Sequence, residues 1–400
     1  MKKKIALILA AAMLSGCGST AEKTTAAQTS AATAETTAAE TTASAAKTET
    51  EILEQTTATV TTTTAETTAP EPTETEKTTS SEATAEADPE TAAQTTAQSV
   101  NNGGEYSVIG ENGILVTKID GHYWGLMPCW GTYGLCDSYV AAVNDFAKKL
   151  PDVKVYNMTI PTSVEFYLPA GNDGFTASQK SKIDYIAENL KGVTNVNVYD
   201  ALEEHKDEHI FSRTDHHWQP LGAYYAAKEF AAAADTDFSD LDSYTEVTCG
   251  GYVGSMYNYS KDVHLYNDPE DFTMYIPEGK TSAAYYDRSF KNGYESSLFV
   301  SPDATGYYCS FLGSDDRIAK IKTECDNGRT IVIFKESYGN ALVPFLTGSF
   351  STIYVCDIRY FNLNAVDFCK DVKATDLLFA CCTYTPAGNN GNYVSIIKNQ

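Results

Sequence analysis

The chain has 400 residues and a formal net charge of −24, and 11% of its residues are aromatic. This acidity excludes nucleic acid and anionic lipid surfaces as electrostatically favoured partners, and it leaves neutral partners such as uncharged glycans. Residues 103–400 are numerous enough to form one large domain with a well-buried core.

Residues 1–17 have the pattern of an export signal. Lys2, Lys3 and Lys4 precede an apolar run over residues 5–13, which is too short to remain as a bilayer-spanning helix. Small residues then lead to Cys17. The segment resembles a bacterial lipoprotein signal, in which Cys17 is acylated and becomes the mature N-terminus. An ordinary secretory signal with an incidental cysteine is the alternative, and either one predicts export.

Residues 18–102 consist mainly of Thr, Ala and Glu, with very few large apolar side chains. Such a segment buries too little apolar surface to offset its chain entropy, so we expect a disordered linker. Together with a lipid on Cys17, it predicts a domain tethered to the outer face of the cell membrane.

From residue 103 onwards the sequence alternates predicted strands with predicted helices. The alternation indicates parallel strands with helices covering the sheet. Residues 239–315 lack clear periodicity, and we interpret them as an insertion or long excursion beside an active cleft. Strands are predicted at 114–116, 153–158, 193–199, 271–276, 297–300, 330–334, 352–356 and 376–382, and helices at 137–149, 178–190, 220–233 and 337–346.

Nine cysteines lie beyond Cys17, an odd number that cannot pair completely within one chain. Several lie in apolar runs, which is typical of buried thiols. No C-x-x-C pair occurs, so a zinc ribbon or a thioredoxin-type site is not expected. Cys129 and Cys136 flank a glycine-containing turn and are the best disulfide candidates.

Two adjacent histidines follow an acid in the stretch Asp215-His216-His217-Trp218, just before Pro220. Proline biases the preceding chain towards extended geometry, in which side chains two apart point the same way. Asp215 and His217 are then expected on one side, with the carboxylate holding one ring nitrogen and leaving the other as a base.

A serine follows the apolar predicted strand 330–334 at the start of a predicted helix. Ser337 would lie beside unpaired backbone N–H groups that suit a developing oxyanion, and Asn340 could add a side-chain donor. A serine at this position is often only a helix cap, so the pattern alone leaves both roles open.

The residues Thr214 to Tyr224, the upstream Ile160 to Pro169 and the serine block Phe334 to Ala341 together resemble the DHHW family of exported bacterial proteins. The Asp-x-His-Trp and serine blocks are also similar to those of the alginate O-acetylation proteins. Here Lys335-Glu336 precedes the serine, where many relatives have glycine followed by another residue.

The resemblance implies an α/β, three-layer, SGNH-hydrolase-like fold with a mostly parallel sheet and with the acid and base placed before the nucleophile in the chain. It implies a Ser337–His217–Asp215 triad that transfers acyl groups on an envelope or extracellular carbohydrate, as an O-acetyltransferase or O-acetylesterase. A membrane protein that donates the acyl group is a further expected partner, and no cofactor is expected. Trp218 and Arg359 are candidate cleft residues, and Arg359 is equally a candidate for a structural ion pair with Asp357 or another acid.

Two other functions remain open from the sequence. His205 and His209 would share a helical face, with His216 and His217 close behind, which is compatible with a metal-binding protein. No matching zinc motif is present, so the prediction of a Ser337–His217–Asp215 triad includes no metal site. A glycan-binding or wall-associated module that keeps the scaffold without turnover is the other alternative.

Overall fold

The computed structural model describes residues 106–300 and 306–400, together with the short strand Gln98–Ser99. The predicted signal with Cys17 and the predicted linker, apart from that strand, lie outside the described residues. Gln98–Ser99 pairs with Ser107–Ile109, so strand pairing begins before the predicted boundary at residue 103.

The strands are β1 (Gln98–Ser99), β2 (Ser107–Ile109), β3 (Leu115–Ile119), β4 (His122–Leu126), β5 (Lys154–Ile160), β6 (Thr194–Asn195), β7 (Thr245–Tyr252), β8 (Glu270–Ile276), β9 (Ser282–Tyr286), β10 (Tyr294–Ser296), β11 (Ile318–Lys322), β12 (Thr330–Lys335), β13 (Thr352–Asp357) and β14 (Asp376–Cys382). Eight of them form a mixed sheet, the middle layer of the domain, in the order β10-β9-β11-β13-β12-β14-β5-β6. Pairings from β13 through β6 are parallel, and those from β10 through β13 are antiparallel.

Helices cover both faces of this sheet. Thr132 and Ser178 cap two of them by accepting backbone N–H groups, and Pro220 begins a third, where its missing N–H costs nothing. The helices are α1 (Tyr133–Lys149), α2 (Ser163–Tyr167), α3 (Gln179–Asn189), α4 (Tyr199–Glu204), α5 (Pro220–Ala234), α6 (Ser255–Ser260), α7 (Val263–Asn267), α8 (Ala365–Asp371) and α9 (Asn392–Asn399), with 3-10 helices at Glu111–Gly113, Leu241–Ser243, Tyr307–Ser310, Ser337–Leu346 and Asn389–Gly391.

The apolar run of β12 divides between two hydrophobic clusters. Ile331 and Ile333 pack into the cluster that contains α5, whereas Val332 and Phe334 pack into the cluster that contains α1. Alternate side chains of a strand point to opposite faces, so a strand buried on both faces is apolar throughout. The predicted three-layer α/β arrangement is therefore confirmed.

Three predicted strands differ from the structure. Of the predicted strand 114–116, Leu115 and Val116 belong to β3, which lies in a separate antiparallel sheet of β1 to β4 rather than in the central sheet. The predicted strand 193–199 shortens to β6, because the chain turns into α4 at Tyr199. Residues 297–300 contribute only an isolated bridge between Phe299 and Phe311.

Residues 239–315, predicted as an insertion or long excursion, contribute strands to the central sheet and to a separate ribbon. Strands β9 and β10 extend the central sheet at its antiparallel end, and β7 and β8 form a separate two-stranded ribbon. The ribbon has a bulge between Cys249 and Tyr252, which accounts for the lost periodicity there.

The predicted disulfide is wrong. No disulfide occurs among the described residues, and Cys129 and Cys136 are both buried thiols. Burial raises the pKa of the Cys136 thiol to about 11, which keeps it protonated and unreactive. Within the described ranges, no helix combines the length and apolar character that crossing a bilayer requires.

Candidate functional site

The site lies where the parallel strands β12 and β13 end. Ser337 follows β12 after one intervening residue and begins the 3-10 helix Ser337–Leu346. Asp357 ends the neighbouring strand β13. The carboxyl ends of parallel strands form a common edge, which is where open α/β sheets place their ligands.

The acid and base lie on a loop closed at its base by the antiparallel bridge between Phe211 and Trp218. Residues 213–217 form bends rather than the predicted extended segment. Asp215 still contacts His217. Its carboxylate accepts a hydrogen bond from the backbone N–H of His217 at 3.0 Å and lies 2.6 Å from the ring Nδ1 of the same residue. The predicted contact is present, but a side-chain-to-backbone turn produces it.

A buried carboxylate from β8 holds this loop in shape. Glu270 accepts the N–H of Arg213 at 2.9 Å, the N–H of Thr214 at 2.7 Å and the hydroxyl of Thr214 at 2.6 Å. The Arg213 side chain donates to Asp268 at 2.9 Å on the flank of the loop. Backbone donors that would otherwise be unpaired are satisfied, which fixes the position of Asp215.

Asp215, His217 and Ser337 form a continuous chain of hydrogen bonds. His217 Nδ1 lies 2.6 Å from Asp215 Oδ1, and His217 Nε2 lies 2.7 Å from Ser337 Oγ. An ionised carboxylate only accepts, so Nδ1 carries the proton and Nε2 accepts from the serine hydroxyl. Ser337 Oγ also lies 3.4 Å from Glu336 Oε2, a longer contact than that with His217.

Asp215 is poised to remain ionised. Burial alone would raise its pKa, but the neighbouring His217 and His216, with hydrogen bonds from His217 and from the Ser255 N–H, hold the pKa well below its usual value. Ser255 N donates to Asp215 Oδ2 at 2.8 Å at the start of α6. Gly254 leaves room for this contact, because a Cβ there would overlap the Asp215 side chain.

His216 has a different environment from His217. Its backbone N–H donates to Ser255 Oγ at 3.3 Å, and its ring Nδ1 lies 2.6 Å from the same oxygen. Burial and the neighbouring His217 lower the pKa of His216 to about 4. The ring is therefore neutral at pH 7.

Two aromatic residues support the base from behind. The ring of Tyr308 stacks on His217, and its hydroxyl donates to the carbonyl oxygens of Ser337 and Tyr338 at 3.0 and 3.1 Å. Trp218 is fully buried, and its Nε1 donates to the Tyr338 carbonyl at 3.1 Å. The prediction of Trp218 as a cleft residue is therefore wrong, since its indole fills the core under the site.

The backbone donors at the start of the Ser337 helix are partly used. Tyr338 N–H donates to Glu336 Oε2 at 3.2 Å, and Gly339 N–H donates to the Glu336 carbonyl at 2.9 Å. Asn340 Nδ2 donates to Asp315 Oδ1 at 2.9 Å, whereas the buried Asn340 Oδ1 has no partner within the described part of the chain. The predicted oxyanion role of Asn340 stays a prediction.

A four-membered ionic network lies beside the serine. Lys335 Nζ contacts Asp315 Oδ1 at 2.7 Å and Asp357 Oδ2 at 3.1 Å. The guanidinium of Arg359 contacts the same two carboxylates at 2.9 and 2.6 Å. The ion pair between Arg359 and Asp357 confirms the structural alternative for Arg359, which keeps about a quarter of its side chain exposed.

The histidines of the metal alternative are not brought together. Helix α4 ends at Glu204, so His205 and His209 do not share a helical face. His205 contacts Glu208, and His209 contacts Glu270. Among the described residues, the group with metal-binding spacing is Asp215, His216 and His217, whose acid and second histidine are already hydrogen-bonded to each other.

The sequence model of DHHW proteins matches residues 122–356, more than half of the chain. The chain belongs to the DHHW family. The crystal structure of a DHHW family protein from Eubacterium siraeum DSM 15702 shares 45% sequence identity with it, covering 72% of this chain and 98% of that chain, with a TM-score of 0.70. No curated protein matches this DHHW chain.

A solved structure at lower sequence identity also shares the fold. Bacillus cereus PatB1 has a TM-score of 0.58 at 19% identity over 70% of this chain and 99% of its own, and a second PatB1 structure carries a sulfonyl adduct. The O-acetyltransferase domain of Pseudomonas putida AlgJ has 16% identity and a TM-score of 0.41, covering 74% of this chain and 99% of its own. The predicted resemblance to the DHHW family is confirmed, and the predicted α/β fold is shared with PatB1.

Sequence reasoning missed the contribution of residues 239–315 to the site. Gly254, Ser255, Glu270, Tyr308 and Asp315 all come from this region. Their separations in sequence from Asp215 and Ser337 follow no fixed spacing, so no local sequence motif predicts that they contribute to the site. The useful signal was the density of Gly, Tyr and Ser, which indicated a segment that packs at a cleft.

Proposed function

We propose that this DHHW domain is a serine-dependent acyl-transfer enzyme that acts on carbohydrate outside the cytoplasm, as an O-acetyltransferase or an O-acetylesterase. The observation that carries the proposal is the unbroken contact from Asp215 through His217 to Ser337, with both links between 2.6 and 2.7 Å. A nucleophile, a base and an oriented acid within hydrogen-bond reach are the requirements of this chemistry.

In the first step, Ser337 Oγ attacks the acyl carbon while its proton passes to His217 Nε2. The tetrahedral intermediate then expels the leaving oxygen, which takes that proton, and an acyl-serine remains. In the second step, a sugar hydroxyl or a water gives its proton to His217 and attacks the acyl carbon. Ser337 Oγ leaves and recovers the proton. Asp215 stays ionised throughout and stabilises the imidazolium.

The developing oxyanion requires donors beside Ser337. We assign this role to the start of the 3-10 helix and to Asn340, whose amide nitrogen has a second N–H besides the one given to Asp315. Removing one such donor typically costs about 3–4 kcal/mol of transition-state stabilisation. Arg359 is assigned to the cleft margin, held there by Asp357 and Asp315.

A carbohydrate acceptor agrees with the charge of the protein. A chain with net charge −24 repels polyanions and is indifferent to neutral glycans. The predicted lipid on Cys17 and the linker over residues 18–102 would hold the domain at the membrane surface, within reach of envelope polysaccharide and of a membrane protein that donates the acyl group.

The direct test is turnover of a chromogenic acetyl ester by the purified chain, compared with Ser337→Ala. We expect hydrolysis by the native protein, loss of at least about a thousand-fold in the variant, and an acetyl mass on Ser337 when the second step is slowed. A sulfonyl fluoride should label Ser337, as the sulfonyl adduct of PatB1 suggests. Undiminished hydrolysis by Ser337→Ala would refute the assignment.

Transferase and esterase are separated by the acceptor. Adding neutral oligosaccharide to the acetyl ester should yield acetylated sugar if the sugar hydroxyl resolves the acyl-serine, and only free acetate if water does. If native protein shows neither turnover nor labelling of Ser337 yet binds glycan, the non-catalytic module is the correct function.

A further inference from the structure

A cavity of about 810 Å³ lies apart from the Asp215–His217–Ser337 triad. It is formed by the β3–β4 turn, the end of α2 and the segment after α4, and none of the three triad residues lines it. Its volume falls within the range of small-molecule binding clefts, about 300–1,000 Å³. Nothing in the proposed acyl transfer uses this space.

The cavity adjoins the loop that carries the acid and base. Phe211, at one end of the loop, faces two residues of the cavity wall, with ring centroids 5.9 Å from Phe166 and 6.0 Å from Tyr167. Trp218, bridged to Phe211, faces Tyr338 on the serine side. Arg213 lines the cavity only two residues before Asp215. The cavity therefore adjoins the loop that carries Asp215 and His217, although none of the three triad residues lines it.

One wall of the cavity is aromatic and fixed in place. The rings of Trp124 and Tyr167 stack with centroids 4.3 Å apart and 28° between their planes. The Tyr167 hydroxyl donates to the Lys206 carbonyl at 2.7 Å, which holds the ring against the wall. Rigid rings with polar groups around them suit a ligand that has both C–H faces and hydroxyl groups.

The charges that line the cavity cancel. Three cationic side chains lie among the lining residues with three carboxylates: Lys118, Lys206 and Arg213 with Asp120, Asp207 and Glu208. Arg213 and Glu208 already have partners in Asp268 and in His205 and Tyr225. Lys206 and Asp207 are exposed and have no ion pair within the described ranges. A ligand with net charge of either sign therefore gains no net electrostatic attraction from the lining residues. The hydroxyl groups of a neutral ligand can hydrogen-bond to both the cationic and the anionic side chains.

We propose that this cavity binds a short neutral oligosaccharide segment, as a carbohydrate subsite separate from the triad. The identification of that segment with the polymer whose hydroxyl or ester reaches Ser337 rests on the proposed function, but the binding itself does not. A polymer held in this cavity, beside the loop that carries Asp215 and His217, would raise the local concentration of its modified residues at Ser337 without contacting the triad.

The test is isothermal titration calorimetry of the purified chain with chitotetraose, cellotetraose and xylotetraose, and with an anionic alginate tetramer for comparison. We expect at least one neutral tetrasaccharide to bind and the anionic one to bind more weakly. Lys206→Ala/Asp207→Ala removes two exposed groups and should weaken binding about ten-fold or more. Asp367→Ala/Lys370→Ala, a matched exposed pair on α8, should leave it unchanged.

Hydrolysis of a small acetyl ester separates this inference from the proposed function, because such a substrate cannot span both sites. Both double variants should hydrolyse it at the native rate. Glycan binding that is sensitive to Lys206 and Asp207 supports the subsite even if Ser337 proves unreactive. Binding of no neutral tetrasaccharide, tighter binding of the anionic one, or full affinity in Lys206→Ala/Asp207→Ala would overturn the inference.

Discussion

The ring of Tyr308 lies parallel to the imidazole of His217, with 3.8 Å between centroids and 2° between planes. The same tyrosine donates its hydroxyl to the backbone carbonyl of Ser337. One side chain therefore contacts both the proposed base and the backbone of the proposed nucleophile. This contact fixes the plane of the imidazole relative to the serine, on which proton transfer depends.

Removing the Tyr308 hydroxyl should distinguish the effect of its hydrogen bond to the Ser337 carbonyl from that of its stacking on His217. Tyr308→Phe keeps the stacked ring and loses the hydrogen bonds, so we expect kcat/KM for an acetyl ester to fall about ten-fold, the equivalent of one hydrogen bond. Tyr308→Leu also loses the stack and should fall further. Tyr294→Phe is the control, because this exposed tyrosine stacks on Tyr285 away from the proposed triad. Equal activity in all three variants would contradict the positioning role.

Adding a side chain at Gly254 should lower the catalytic rate. A Cβ there overlaps Asp215, so Gly254→Ala must displace the carboxylate from His217. Misplacement of about 1 Å typically costs about a hundred-fold in rate, and we expect kcat to fall by that order while KM changes little. Gly134→Ala on α1 meets open space and should retain full activity. Native kcat in Gly254→Ala would show that Asp215 does not depend on this contact.

The buried Lys335 should be important for stability. Its ammonium group lies between Asp315 and Asp357, which raise its pKa against the opposing effect of burial. Lys335→Met leaves buried carboxylates undercompensated, and breaking such a pair typically costs about 3–5 kcal/mol. Urea denaturation should therefore show a much lower midpoint. Lys370→Met, at an exposed pair with Asp367, should change the free energy of unfolding by less than about 1 kcal/mol.

Acid should destabilise the protein from near neutrality downwards. The pKa of His216 is lowered to about 4 in the folded state, below its ordinary 6.5. Between these values the unfolded chain binds more protons, so the free energy of unfolding falls as the pH falls, by at most about 3 kcal/mol. Asp215, whose pKa is held low, adds stability above its unfolded pKa that is lost at still lower pH.

His216→Asn isolates the histidine contribution. The amide can still hydrogen-bond to Ser255 but does not titrate in this range, so the slope of unfolding free energy against pH should flatten between about pH 6.5 and pH 4. Denaturant midpoints measured across this range provide the comparison. An unchanged slope would mean that His216 titrates alike in both states.

Cys17 should carry a lipid in cells that express the full chain. Metabolic labelling with an alkyne fatty acid should mark the native protein and not Cys17→Ser, and the variant should leave the membrane fraction. Cys309→Ser serves as the cysteine control and should stay labelled. Labelling that persists in Cys17→Ser would contradict the lipoprotein prediction.

Much of the central architecture followed from local patterns. The apolar runs at 330–334, 352–356 and 376–382 predicted strands, because residues buried on both faces of a sheet must be apolar. Ser178 and Pro220 predicted helix starts through capping and a fixed φ angle. The residue types at Asp215, His217 and Ser337, together with the resemblance to the DHHW family, indicated which side chains should meet.

Only the tertiary structure decided how the candidate site is built. A loop closed by Phe211 and Trp218, rather than an extended strand, brings Asp215 to His217. Trp218 lies in the hydrophobic core rather than in a cleft, and Cys129 and Cys136 form no disulfide bond. The sequence determined which residues could do the chemistry, because that depends on residue type and local periodicity. Their support by Glu270 and Tyr308 depends on contacts between distant segments, which no local pattern records.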